Sequence, residues 1–214
     1  MPNRNINLLL ALLAFLLLSV HITNAAEEQQ FIVKTGTRET IQALQAGGLV
    51  IYMRHGPTDT SMPDQVPKVD LNDCSTQRPL TEAGRQLAAQ VGDAIRRAGI
   101  PVGEVHTSPM CRTKETAEAA FGKDYQVDQY LMYTSNLTAA EKVPRIANTR
   151  RLLSTPVPSG TNRVIVAHAP NLMDVMGYFP KPEALVVIFK PRGDQGFEYV
   201  ASILPDQWPD LLGK

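Results

Sequence analysis

A surplus of charge of either sign, internal repeats and metal-ligand spacings are what this 214-residue sequence lacks. Lys+Arg and Asp+Glu stand at 21 each, which leaves a formal net charge of zero and a pI near 6.9. Without a basic surplus the chain has no electrostatic footprint for nucleic acid, and that class of partner is set aside. No set of His, Asp and Glu stands at ligand spacing, so neither a metal nor another cofactor is expected. What is present is a 43% hydrophobic content, enough for one globular domain with a real core.

Cysteine is scarce, and the N-terminus sets how the two that occur are read. Asn3-Arg4-Asn5 leads into an almost unbroken Leu/Ala/Phe run from Leu8 to Val20, and Thr23-Asn24-Ala25-Ala26 offers small residues for cleavage. That pattern predicts a secretory signal peptide over residues 1–25, followed by a single domain over residues 26–214. The apolar run is short for a membrane span, so no stable span is expected after cleavage; retention as an anchor is the other reading. A periplasmic or secreted location follows. In an oxidising compartment Cys74 and Cys111 are expected to pair if the fold brings their Cα atoms within about 7 Å, the alternative being two buried thiols.

Along the chain, apolar β-branched runs alternate with helical periodicity. A short helix around residues 37–45 is stopped by Gly47-Gly48 and runs into a strand, Leu49 to Met53. Residues 57–79 are polar, proline-marked and aperiodic, a long loop of the functional kind. Thr81 is a plausible N-cap for a helix bearing Leu87, Val91 and Ile95 on one face. A strand over 102–107 then meets Ser108-Pro109, an N-cap and first-turn proline, which predicts a helix over Cys111 to Phe121 with Arg112 in its first turn. Tyr125 to Tyr133 is ambiguous. Thr138 to Glu141 forms a capping box for a helix to about Leu153, residues 163–167 form a second buried strand, and residues 185–190 and 197–203 form a hairpin. The class is therefore α/β, a mostly parallel central sheet with helices on both faces.

In such sheets ligands lie beyond the carboxyl ends of the strands. His55 and His168 each follow a buried strand at that end, Arg54 and Arg112 reach the same mouth, and Ser108-Pro109 adds a helix N-terminus with outward N–H groups. Two planar guanidinium forks and two imidazoles around such a terminus suit a phosphoryl group. Cations so close would also oppose a divalent metal.

Four blocks in order carry a resemblance: Arg54-His55-Gly56 with Thr58; Leu80-Thr81-Glu82-Ala83-Gly84; Ser108-Pro109-Met110-Cys111-Arg112-Thr113 with Thr116-Ala117; and Ala167-His168. Together they resemble the histidine phosphatase superfamily, also called phosphoglycerate-mutase-like. The resemblance implies that fold, and a phosphatase in which His55 is the nucleophile of a phosphohistidine intermediate. By the same resemblance Arg54, Arg112 and His168 hold the phosphoryl oxygens, and Thr58 places a hydroxyl near the phosphate.

The pattern departs from the family at the proton donor. Ala167-His168-Ala169-Pro170 lacks the histidine-acid pairing of one branch, and Met132-Tyr133-Thr134 stand where the mutase-type branch would put a glutamate. Asp59, near His55 in sequence, is the tentative general acid, with a solvated loop carboxylate as the competing reading. A proton donor contributes roughly 10²–10⁴-fold, so an enzyme without one should favour good leaving groups: phosphoramidates, anhydrides or aryl phosphates. Export points to a small extracytoplasmic phosphorylated substrate, a cell-envelope sugar phosphate among the candidates. A catalytically weak phosphate-binding envelope protein is the rival from another class, and a phosphomutase a further one.

Overall fold

The computed structural model describes residues 31–65 and 69–213. The signal peptide expected over residues 1–25 lies outside the described residues. Helix α1 (Arg38–Ala46) leads into β1 (Val50–Arg54), and the long loop after β1 ends at α2 (Glu82–Arg97). Then come β2 (Val102–Thr107), α3 (Cys111–Phe121), a two-residue β3 (Gln126–Val127), α4 (Ala139–Ser154), β4 (Asn162–Ala167) and α5 (Ala169–Met176). The hairpin of β5 (Val186–Pro191) and β6 (Phe197–Ile203) follows, and a short α6 (Trp208–Leu211) ends the chain. The ambiguous segment 125–133 resolves into β3 and a single 3-10 turn, Gln129–Leu131.

The six strands form one sheet in the order β3-β2-β4-β1-β5-β6. β1 and β2 both pair parallel with β4, and β3 pairs parallel with β2. β5 runs antiparallel to β1 and β6 to β5, so the expected hairpin closes one side of a mostly parallel sheet. Continuous apolar runs are what a strand covered on both faces requires, and β1 illustrates it. Its Ile51 and Met53 enter a core with Leu44, Val91, Ile95 and Val164, while Val50 and Tyr52 enter another with Leu153, Ile165 and Leu172 on the opposite face.

At the amino ends of these strands, the fully buried Asn162 ties three segments together. Its Nδ2 donates to the carbonyls of Leu44 (2.7 Å) and Pro101 (2.8 Å), and its Oδ1 accepts from Leu49 N–H (3.1 Å). At the carboxyl ends, Gly56 and Gly84 meet backbone to backbone. A Cβ on Gly56 would lie 2.6 Å from the Gly84 carbonyl oxygen, and one on Gly84 would collide with the Pro57 carbonyl. Two of the sequence blocks are thereby in direct contact, and glycine is what permits the approach.

Thr81 caps α2, accepting from Gly84 N–H at 2.9 Å. Helix α3 spans Cys111–Phe121 as expected, but the expected cap is corrected: Met110 is the N-cap, and the Ser108 hydroxyl bonds His168 instead. The loop after β1 returns on itself, with Thr58 bridged to Leu80 and Asp59 N–H donating to the Pro79 carbonyl at 3.0 Å. Cys74 in this loop is joined to Cys111 at the start of α3, Cα to Cα 5.7 Å. Among the described residues, no helix is long and apolar enough to cross a membrane.

Candidate active site

Parallel register explains how two histidines far apart in sequence become neighbours. β1 and β4 pair Val50 with Arg163 through Arg54 with Ala167, so the next residue of each strand is a histidine. His55 N–H continues the ladder by donating to the Ala167 carbonyl at 3.0 Å. The two imidazole centroids are 5.4 Å apart. Beside β4, Thr107 pairs with Val166, which brings Ser108 into hydrogen-bond contact with His168 Nε2 at 2.8 Å.

His55 is buried, and its Nδ1 is 2.8 Å from the Gly56 carbonyl oxygen. A carbonyl can only accept, so Nδ1 carries the proton and Nε2 keeps its lone pair for attack. Burial, reinforced by the Arg112 and Arg54 guanidiniums, holds the His55 pKa well below the usual imidazole value. His168 is lowered well below that value by burial first and Arg112 next. Both rings are therefore neutral near pH 7. The Ser108 hydroxyl and His168 Nε2 share a hydrogen bond, and with the hydroxyl assigned as donor the proton of the neutral ring lies on the buried Nδ1, which meets no partner among the described residues and can meet a phosphoryl oxygen.

Arg112 is fully buried, and one turn of α3 aims it under the site. Its Nη1 donates to Asp64 Oδ1 at 2.9 Å, while Nε and Nη2 meet no partner among the described residues. Buried guanidinium donors with nothing to bond form an anion seat. Arg54, at the end of β1, donates from Nη1 to the Pro180 carbonyl (3.0 Å) and lies 3.3 Å from Glu183 through Nη2. The Thr58 hydroxyl donates to that same Glu183 oxygen at 3.0 Å, so it stands at the edge of the seat.

Asp59 does not fit the proton-donor role expected for it. Its Oδ1 accepts from the Ser61 hydroxyl (2.6 Å) and N–H (2.9 Å). Those bonds lower its pKa and hold it as a carboxylate at the loop surface.

Three groups at the site escaped the sequence reading. Asp64 bridges Arg112 and the Arg78 backbone N–H (2.8 Å), and Arg78 itself lies close enough to lower the pKa of both histidines. Glu183, just before β5, has its Oε1 3.8 Å from His55 Nδ1. It therefore faces the edge of the ring away from the attacking nitrogen. A carboxylate so placed would offset any positive charge gained by the ring. Loop polarity was the only signal for any of these, and it does not single out which charges fold inward.

Residues 50–135 match the family model of the histidine phosphatase superfamily, branch 1. That span holds the first three sequence blocks and ends before His168, whose place rests on register and on the Ser108 bond. None of the curated proteins compared with the chain matches it in sequence. Among solved structures, the chain is similar to the protein histidine phosphatase SixA in complex with tungstate, at 15% identity over 74% of this chain and 98% of that one, TM-score 0.52. It is also similar to a mycobacterial glucosyl-3-phosphoglycerate phosphatase, at 16% identity over 72% and 98% of the two chains, TM-score 0.51. An open reading frame product of Mycobacterium tuberculosis gives 18% identity over 72% and 96%, TM-score 0.52. At these identities the structural likeness is one of fold.

Proposed function

We propose, from the match of residues 50–135 to the histidine phosphatase superfamily model and from the geometry of the site, that the chain is an exported phosphatase that hydrolyses a small phosphorylated substrate through a phosphohistidine on His55. The observation that carries this is a neutral, buried imidazole with Nε2 free, set beside a fully buried Arg112 that has two N–H groups unpartnered. In the first step Nε2 attacks phosphorus, the P–N bond forms, and the P–O bond breaks with its electron pair leaving on the substrate oxygen. Arg112, Arg54 and His168 Nδ1–H stabilise the equatorial oxygens as the group transfers. In the second step water attacks phosphorus, the P–N pair returns to Nε2, and the water's proton departs with phosphate or solvent. Gly56 keeps the Nδ1 proton in place throughout.

Export rests on the leader-like N-terminus and on a cysteine pair suited to an oxidising compartment. That compartment by itself admits an envelope sugar phosphate as substrate. The reading of a phosphate-binding protein without turnover draws on one observation, the lack of a carboxylic acid poised to donate among the described residues. One experiment separates the two. The parent protein should hydrolyse p-nitrophenyl phosphate in the presence of chelator and form an acid-labile, base-stable phosphoprotein, and His55→Ala should do neither. Turnover by His55→Ala at the parental rate would end the phosphohistidine proposal, and a parent that binds phosphate without turnover would establish the rival.

A further inference from the structure

A cleft of about 460 Å³ lies beside Arg112. The cleft begins at Asp64, which holds Arg112 at 2.9 Å, and at Tyr133, whose ring lies 5.2 Å from the Arg112 guanidinium and 5.4 Å from the His168 ring. Its lining is mixed: Leu71, Met110, Met132 and Leu137 supply apolar wall, while Gln65, Gln129, Asn136, Glu141 and Arg145 supply polar groups. The volume suits one or two aromatic rings, and the sulfur-bearing and aromatic side chains offer the faces such rings pack against.

A second observation bears on the same ligand. The leaving oxygen departs on the side opposite His55 Nε2, and the carboxylates near the seat are committed as acceptors. Asp64 Oδ1 receives N–H groups from both Arg112 and Arg78, and Glu183 receives the Thr58 hydroxyl on the Nδ1 side of His55. A departing alkoxide would have to leave without a proton, a loss of roughly 10²–10⁴-fold that a phenolate largely escapes, phenols having a pKa of about 10. Leaving-group chemistry and the cleft lining point to the same molecule.

Resting on the phosphatase reading above, we propose that the cleft seats the leaving group and that the substrate is an aryl phosphate monoester. The scissile oxygen is borne directly on an aromatic ring packed between Met132, Leu137 and Tyr133. The aryl phosphate has two sources, a free small molecule or a phosphotyrosyl side chain, and both present the same ring and phosphate.

The test compares kcat/KM for 1-naphthyl phosphate, mannose 6-phosphate and acetyl phosphate in the parent protein and in the variants Leu137→Asp and Met132→Gln. Acetyl phosphate reads the phosphoryl chemistry with no ring to seat. The parent is expected to prefer 1-naphthyl phosphate over mannose 6-phosphate by at least about 10²-fold. Each variant should lower the ratio of naphthyl phosphate to acetyl phosphate about tenfold, mainly through KM. Equal loss on both substrates, or mannose 6-phosphate used as well as naphthyl phosphate, overturns the aryl assignment and leaves the phosphatase intact. Failure of the parent on acetyl phosphate as well would instead bring down the phosphatase reading itself. A phosphotyrosyl peptide outperforming free phosphotyrosine assigns the protein-bound source, and the reverse order assigns the small molecule.

Discussion

The floor and the roof of the site are built by different means. Arg54, His55, Ser108 and His168 stand at strand ends, where the ladder from β1 to β4 to β2 fixes their spacing through backbone hydrogen bonds. Asp64, Gln77 and Arg78 come from an aperiodic loop, held down by side-chain bonds to α3 and by one covalent bridge. Gln77 Oε1 accepts from Cys111 N–H (2.8 Å), Asp64 pairs with Arg112, and Cys74 joins Cys111. Floor geometry therefore belongs to the sheet as a whole and should survive any single side-chain change. The roof depends on a few individually replaceable contacts, all converging on the first turn of α3.

Arg112 is where floor and roof meet, and its loss should have the largest effect among the changes that spare His55. Arg112→Ala is expected to lower kcat/KM by at least about 10²–10³-fold, the usual cost of one preorganised charge-stabilising donor, with unchanged far-ultraviolet circular dichroism. Retained activity would mean that the seat is elsewhere.

The double variant Cys74→Ser/Cys111→Ser releases the roof alone. Opening a loop closed over 37 residues should cost about 2–4 kcal/mol of stability, read as a melting temperature lower by roughly 4–16 °C. Below its melting point this variant should lose no more than about tenfold in kcat/KM. A collapse comparable to Arg112→Ala would show that the floor needs the roof to form.

Acid should act on the floor. Both histidines are held neutral in the folded protein, their pKa values below the imidazole value of 6.5, whereas the unfolded chain takes up protons below that value. Stability is accordingly complete above about pH 6.5 and lost on acidification, by about 1.4 kcal/mol per pH unit for each histidine until its lowered native pKa is reached. Urea midpoints measured across this range should fall with pH, and His55→Asn should flatten the slope. A pH-independent midpoint would contradict the burial of these rings.

The smallest effect is expected at Asp59. Among the described residues its carboxylate accepts from Ser61 alone, so Asp59→Asn should change kcat by less than about twofold.

The same division governs what could be read from the sequence. Strand ends announce themselves, since a buried β-branched run stops at His55 and another at His168, and both expectations met in one pocket. Helix α2 was legible through Thr81 and its apolar face. The span of α3, Cys111 to Phe121, was legible too, but its N-cap was not, because the rule that reads Ser108-Pro109 as a cap knows nothing of the bond between the Ser108 hydroxyl and His168. Roof residues, and Glu183 before β5, were less legible still. Asp64, Arg78 and Glu183 lie in polar segments with no period, and they are recruited by partners 48 residues away in one case and 125 in another. Nearness to His55 in sequence singles out Asp59, whose carboxylate instead accepts from the Ser61 turn.

Asn162 carries this logic to the far end of the sheet. The offset it imposes by accepting from Leu49 N–H, 113 residues, is the one that separates His55 from His168. Strand register changes only in whole residues, and a slip of one would turn every side chain of β1 to the opposite face. One carboxamide roughly 17–20 Å from the reacting phosphorus, at about 3.3 Å per residue, thus works as an alignment pin set in place before any chemistry begins. A lesion there would damage catalysis without touching a single group that meets the substrate.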